Sequence, residues 1–165
     1  MSGNEKSNQQ SNDYTTQQIT AFIKDLDDHI KSLLPLKNPV DNVIGEALNM
    51  TYEQIKNIHA EECAILCYKL AQYATYLQMT INRYKNLRRW AENNLNLMMG
   101  KYGNNYGTQY TKFEEKRSAL IVDNDHAKSL YDVWLKYGSL EEELSEIANR
   151  VRYISQTIQE VKNVR

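Results

Sequence analysis

The chain has 165 residues, 41% of them hydrophobic and 25% charged, with a formal net charge of −1. That length holds one domain, or one domain and a tail. No run of ~18 apolar residues is present, which excludes a transmembrane helix, and the polar start "MSGNEKSNQQSND" is not read as a secretory signal.

Residues 1–13 are rich in Ser, Asn and Gln and are expected to be a disordered polar tail. A first helix is predicted over 15–34, where Ile19, Ile23, Leu26, Ile30 and Leu33 form one apolar stripe and "PLKNPV" ends it. A short helix from Asp41 to Leu48 follows. Residues 14–50 thus make an N-terminal helical segment, and 51–165 the main domain. Thr51 and Gln54 have capping-box spacing, so a long helix is predicted from Thr51 to Gly100. Its stripe reads Leu66, Leu70, Tyr73, Leu77, Thr80, Tyr84, Leu87, Ala91, Asn94, Met98. The connection "GKYGNNYGTQY" carries Gly100, Gly103 and Gly107, with rings at Tyr102, Tyr106 and Tyr110. "TKFEEKRSALIV" reads as a short helix or an extended piece. Asp123 is expected to cap a last helix, continuous through Gly138 or split there into two nearly collinear pieces. In it Leu130, Val133, Tyr137, Leu140, Leu144, Ile147, Val151, Ile154, Ile158 and Val161 repeat at spacings of 3 and 4. A strict 3.5-residue repeat favours coiled-coil packing. The expected fold is all-α: a long antiparallel helical hairpin with a shorter N-terminal helix. A bare two-helix arm buries little, so this last stripe is expected to drive homo-oligomerisation.

Catalytic constellations are absent from the sequence. His59, Cys63 and Cys67 share a helix face, but one straight helix cannot wrap a tetrahedral ion with them, so they are read as core residues. Asp123–His126 lacks calcium-loop spacing and is read as a helix cap. No phosphate loop or nucleophile arrangement occurs. Neither an enzyme nor a cofactor or metal site is expected. Cys63 and Cys67 are also poorly placed for a disulfide, and a reducing cytoplasm is the default.

Charge is distributed unevenly. Residues 79–117 hold eight Lys/Arg against three Asp/Glu, whereas both flanking regions are net acidic. Lys85, Arg88 and Arg89 lie largely opposite the apolar stripe, Arg83 lies toward its flank, and Lys101, Lys112, Lys116 and Arg117 cluster near the loop. Cations follow phosphates and rings stack on bases irrespective of sequence, so this zone, with Tyr102, Tyr106 and Tyr110, is a candidate single-strand nucleic-acid surface. The competing reading is a solvated helix face with the tyrosines packed at a hairpin tip.

Beyond these patterns, the chain resembles the UvsY-type recombination mediator proteins of tailed phages over roughly residues 60–161. The likeness lies in a long helix including "KLAQYATYLQMTINRYKNLRRW", the connection "GKYGNNYG", and Leu120, Asp123, Asp125 and Lys128 in a Leu-x-x-Asp-x-Asp-x-x-Lys stretch. Leu144, Ile147, Arg150 and Ile154 follow at similar positions, and Ile158-Gln159 matches an Ile-Gln pair shifted by one residue. The chain departs from the family at "NNLNLMM", where basic side chains are expected before the aromatics. The resemblance implies a ring-shaped homo-oligomer that binds single-stranded DNA. It further implies loading of a RecA-like recombinase onto strands covered by single-strand-binding protein, in the cytoplasm of a bacterial host. The alternative is a coiled-coil structural or adaptor protein with protein partners only.

Overall fold

The computed structural model of the chain describes residues 4–33 and 38–163, and the side chains of 17–29, 31–32, 38–161 and 163 within them. Six α-helices account for nearly all of it: α1 Asn4–Leu33, α2 Asn42–Asn49, α3 Tyr52–Asn57, α4 Ala60–Tyr102, α5 Phe113–Asp123 and α6 Asp125–Asn163. A 3₁₀ turn, Gly103–Tyr106, follows α4. The described residues contain no strand, and none of their helices is long and apolar enough to cross a membrane. The chain divides into two units, Met1–Leu33 with Arg83–Ser139 and Leu34–Asn82 with Leu140–Arg165; α4 and α6 contribute to both. The segment 14–50 is therefore not one body, because its two helices join different units.

Helix α1 reaches back through residues 4–13, where a disordered tail was expected. That stretch is polar, but it contains no proline or glycine to stop a helix started downstream. Ile19 is buried and Ile23 packs beside it, whereas Ile30, Leu33 and residues 34–37 lie outside the described side chains.

In the second unit, Asp41 caps α2 by accepting from the Ile44 amide at 2.9 Å and also pairs with Lys69. The Lys69 ammonium and the Ile44 amide hold the Asp41 carboxyl below the usual carboxylate range. Thr51 and Gln54 form the expected capping box, but the helix they start ends at Asn57. The single long helix predicted from Thr51 is therefore interrupted at Ile58 and His59. Chain direction changes there so that Ile55 is buried and Ile58 packs against the same cluster, which a straight continuation would not require. Helix α4 then starts afresh, with Glu62 accepting from the His59 amide and Cys63 N–H bonding the His59 carbonyl. Cys63 is buried and Cys67 packs against the core, as read, but His59 is exposed ahead of α4 and is not a core residue. Leu66, Leu70, Leu77 and Ile81 share that core with Ala148, Val151, Ile154 and Ile158. At its rim Arg150 donates to the Leu48 carbonyl at 3.1 Å, satisfying an end of α2, and Arg152 donates to Gln78 Oε1 at 2.7 Å.

In the first unit, Ile19, Leu95, Met99, Leu120, Ala127 and Leu130 form the core. Phe22 meets Trp90 at 5.1 Å between ring centroids, and Tyr84 meets Tyr137 at 5.5 Å. "TKFEEKRSALIV" resolves into α5. Asn124, rather than Asp123, serves both helix ends at the α5–α6 junction: its amide donates to Leu120 O, and its Oδ1 accepts from Ala127 N–H. Asp123 instead accepts from the Tyr106 hydroxyl.

The predicted stripes slip by one residue in places. Ile81, Leu95 and Met99 are buried in α4 in place of the expected Thr80, Asn94 and Met98. In α6, Ala148 is 1% exposed while Ile147 is 39% exposed. The register returns at Leu87 and Ala91 in α4 and at Val151, Ile154 and Ile158 in α6, so these are local departures and not a cumulative drift. Leu130, Val151, Ile154 and Ile158 are buried by the chain itself, and Val133, Leu144 and Val161 pack beside them. Tyr137 meets Tyr84, and Leu140 is half-buried. Most of this stripe is thus core within the chain, and Ile147 is the member left exposed.

Two glycines behave oppositely. Gly107 has φ +156°, and a Cβ there would lie 2.5 Å from Thr111 Oγ1. Gly138 lies inside the unbroken α6, where a Cβ would meet Arg88 Cδ at an ordinary 3.7 Å. Gly107→Ala should therefore destabilise the first unit by about 1–3 kcal/mol. Gly138→Ala should stabilise it by about 0.5–1 kcal/mol. Denaturant melts of both variants check the pair.

His126, in the first turn of α6, has a solvent-shielded Nδ1 with no hydrogen-bond partner. Burial holds its pKa below the ordinary value. A depressed pKa in the folded state favours the neutral ring. Its stability contribution is present above the unfolded value of ~6.5 and is lost as pH falls through the lowered folded value. The melting temperature of the native chain should fall between pH 7 and 5, and His126→Gln should flatten that fall.

Candidate nucleic-acid interface

All the basic side chains singled out by charge lie in the first unit, but the structure uses them differently. Arg83 Nε sits 2.5 Å from Asp27 Oδ1. Neither atom has an aligned hydrogen-bond partner, so the contact is mainly Coulombic. Its guanidinium also lies 5.3 Å from the Tyr84 ring. Arg83 thus ties α1 to α4 and is not presented to a ligand. Arg88 lies 5.4 Å from the Trp134 ring centroid and is half-buried. Arg117 approaches the same ring at 5.6 Å. Lys85 and Arg89 are exposed, as are Lys101 and Lys112, while Lys116 is half-buried.

The tyrosines divide in the same way. Tyr102 and Tyr106 pack against the apolar cluster of the unit. Lys101 Nζ lies 5.0 Å from the Tyr102 ring. The Tyr106 hydroxyl donates to Asp123 Oδ2 at 3.0 Å, and that bond raises the phenol's pKa. Only Tyr110 is free, at 86% exposure. Two of the three rings therefore seal the end of the unit, as the competing reading of the loop had it. Gly100 lies within α4 and makes no turn; Gly103 is buried in the 3₁₀ turn; Gly107 supplies the unusual backbone angle.

What the structure brings together is a different set. Lys85, Arg89, Glu92, Asn96 and Gly100 follow at spacings of 4, 3, 4 and 4, on one face of α4. The last three line an open cavity of about 680 Å³, together with Gly103 and Asn104 and with Phe113, Lys116 and Arg117 of α5. Two cations there face one carboxylate, Glu92. Phe113, Asn96, Asn104 and Trp134 were not singled out in the sequence. The i, i+4, i+7, i+11 series from Lys85 to Asn96 was readable, but the approach of α5 was not.

Among the described residues no group of three His, Cys, Asp or Glu side chains gathers as a metal site would require. Comparison with protein-family models, with curated proteins and with solved structures finds no match to this chain.

Proposed function

We propose that the protein binds single-stranded DNA through the basic face of its first unit. On this proposal it acts without catalysis, as a recombination mediator of the phage type. The observation that carries DNA binding is the alignment of exposed Lys85 and Arg89 with the cavity that holds Lys116 and Arg117. Local charge of one sign concentrates a polyanion even when the whole chain is near neutral. The mediator role, loading a RecA-like recombinase onto strands held by single-strand-binding protein, rests on the Leu120–Lys128 stretch and the organisation of the helices.

The pairing of Gln78 with Arg152 and of Leu70 and Ile158 in one core supports an antiparallel α4–α6 hairpin within the second unit; Tyr84 with Tyr137 and Leu95 with Leu130 support it within the first. Assembly into a homo-oligomer uses apolar side chains left on the surface, Ile65, Tyr68, Ile147 and Tyr153 in the second unit and Leu97 and Val122 in the first.

Fluorescence anisotropy with labelled single-stranded and duplex oligonucleotides across a salt series tests the reading. Tighter binding to single strands, with a negative log–log salt slope, is expected. Absence of single-strand binding at low salt would leave the coiled-coil adaptor as the better account.

A further inference from the structure

The cavity at the end of the Lys85–Arg89 face has three features that a merely solvated groove does not need. Phe113 lines it with a ring 51% exposed and belongs to neither apolar core. Arg117 also lines it, and its Nε and Nη2 are shielded from solvent without a hydrogen-bond partner. The Trp134 ring lies 5.6 Å from that guanidinium, so what Arg117 brings to the cavity is a fixed positive charge, which matches a phosphate in particular. Asn96 and Asn104 add amides that both donate and accept, as base edges require. The volume falls in the range of small-ligand sites, roughly 300–1,000 Å³.

We propose that this cavity receives one nucleotide of a bound single strand, its base stacked on Phe113 and its phosphate held by Lys116 and Arg117. The inference rests on the single-strand reading above and narrows it to a point of base contact. Glu92 sits opposite the two cations, leaving an excess positive charge for one phosphate. Tyr110, the ring the loop does present, lies outside the cavity lining and serves as a control.

The test uses the full chain and a fluorescein-labelled oligothymidylate, with a matching strand of abasic sugar-phosphate. Phe113→Ala and Phe113→Leu should each weaken oligothymidylate binding by about 5-fold or more and leave the salt slope unchanged. Neither should alter binding of the abasic strand. Arg117→Gln should weaken both strands and lower the slope by ~0.7, and Arg117→Lys, which keeps the charge, should restore the slope. Tyr110→Ala should bind as the native chain does. If the native chain binds and the stable Phe113 and Arg117 variants match it in affinity and slope, the cavity is not the contact, while the broader reading stands. If the native chain binds neither strand, both are overturned.

Discussion

Ala148→Asp should unfold the second unit, while Ile147→Asp should leave it folded. Ala148 is 1% exposed among Leu70, Leu77, Val151 and Ile154, so an aspartate there places a carboxylate where neither water nor a cation reaches it. Burying an unpaired charge is one of the few single changes expected to cost more than about 4 kcal/mol. Ile147, one residue away, is largely on the surface, and its replacement removes only an apolar patch. Circular dichroism melts separate the two directly. Sedimentation of the folded Ile147→Asp protein then reports on assembly: a lower molecular mass than the native chain identifies Ile147 as an interface residue. Equal stability of the two variants would overturn the register of α6.

The second expected result concerns charge. Lys85→Ala with Arg89→Ala should weaken single-strand binding roughly tenfold or more at low salt and lower the log–log slope by about 1.4, two contacts at ~0.7 each. Arg83→Ala is the matched comparison. It removes one positive charge from the same helix, half of what the double variant removes, but Arg83 is engaged with Asp27. It should lower the melting temperature and leave the slope unchanged. A slope that falls by the same amount per charge removed in both cases would mean that net charge alone governs binding, and that the face has no defined geometry.

The helical character, the start of a short helix at Asp41 and the capping box at Thr51 were legible in the sequence because each rests on local spacing, whereas the spacing left open whether α6 runs unbroken through Gly138, as it does. The interruption at Ile58–His59 was not, since it is imposed by Ile55 and Ile58 both reaching one core. The stripes were read by apolar type, so Ile147 was taken in place of the smaller Ala148, which is the buried one of the pair. The basic zone was visible as composition. Where each cation points was not, because that depends on partners distant in sequence: Asp27 engages Arg83, and Trp134 sits beside Arg88 and the cavity-lining Arg117. Tyr102 and Tyr106 failed as presented rings for the same reason, their places being set by Asp123 and the packing of α5.

Trp134, flanked by two guanidinium groups and by Tyr131 at 5.7 Å, is one of two tryptophans in the chain; the other, Trp90, faces Phe22. An indole responds to the electric field across it, and here that field comes from Arg117, a cavity-lining side chain. The molecule therefore contains an intrinsic optical reporter. On the cavity proposal, an anion drawn to Arg117 should change the emission wavelength of Trp134 without any attached dye, and Trp90→Phe should isolate that signal. Occupancy, affinity and stopped-flow kinetics can then be followed by light from the protein alone.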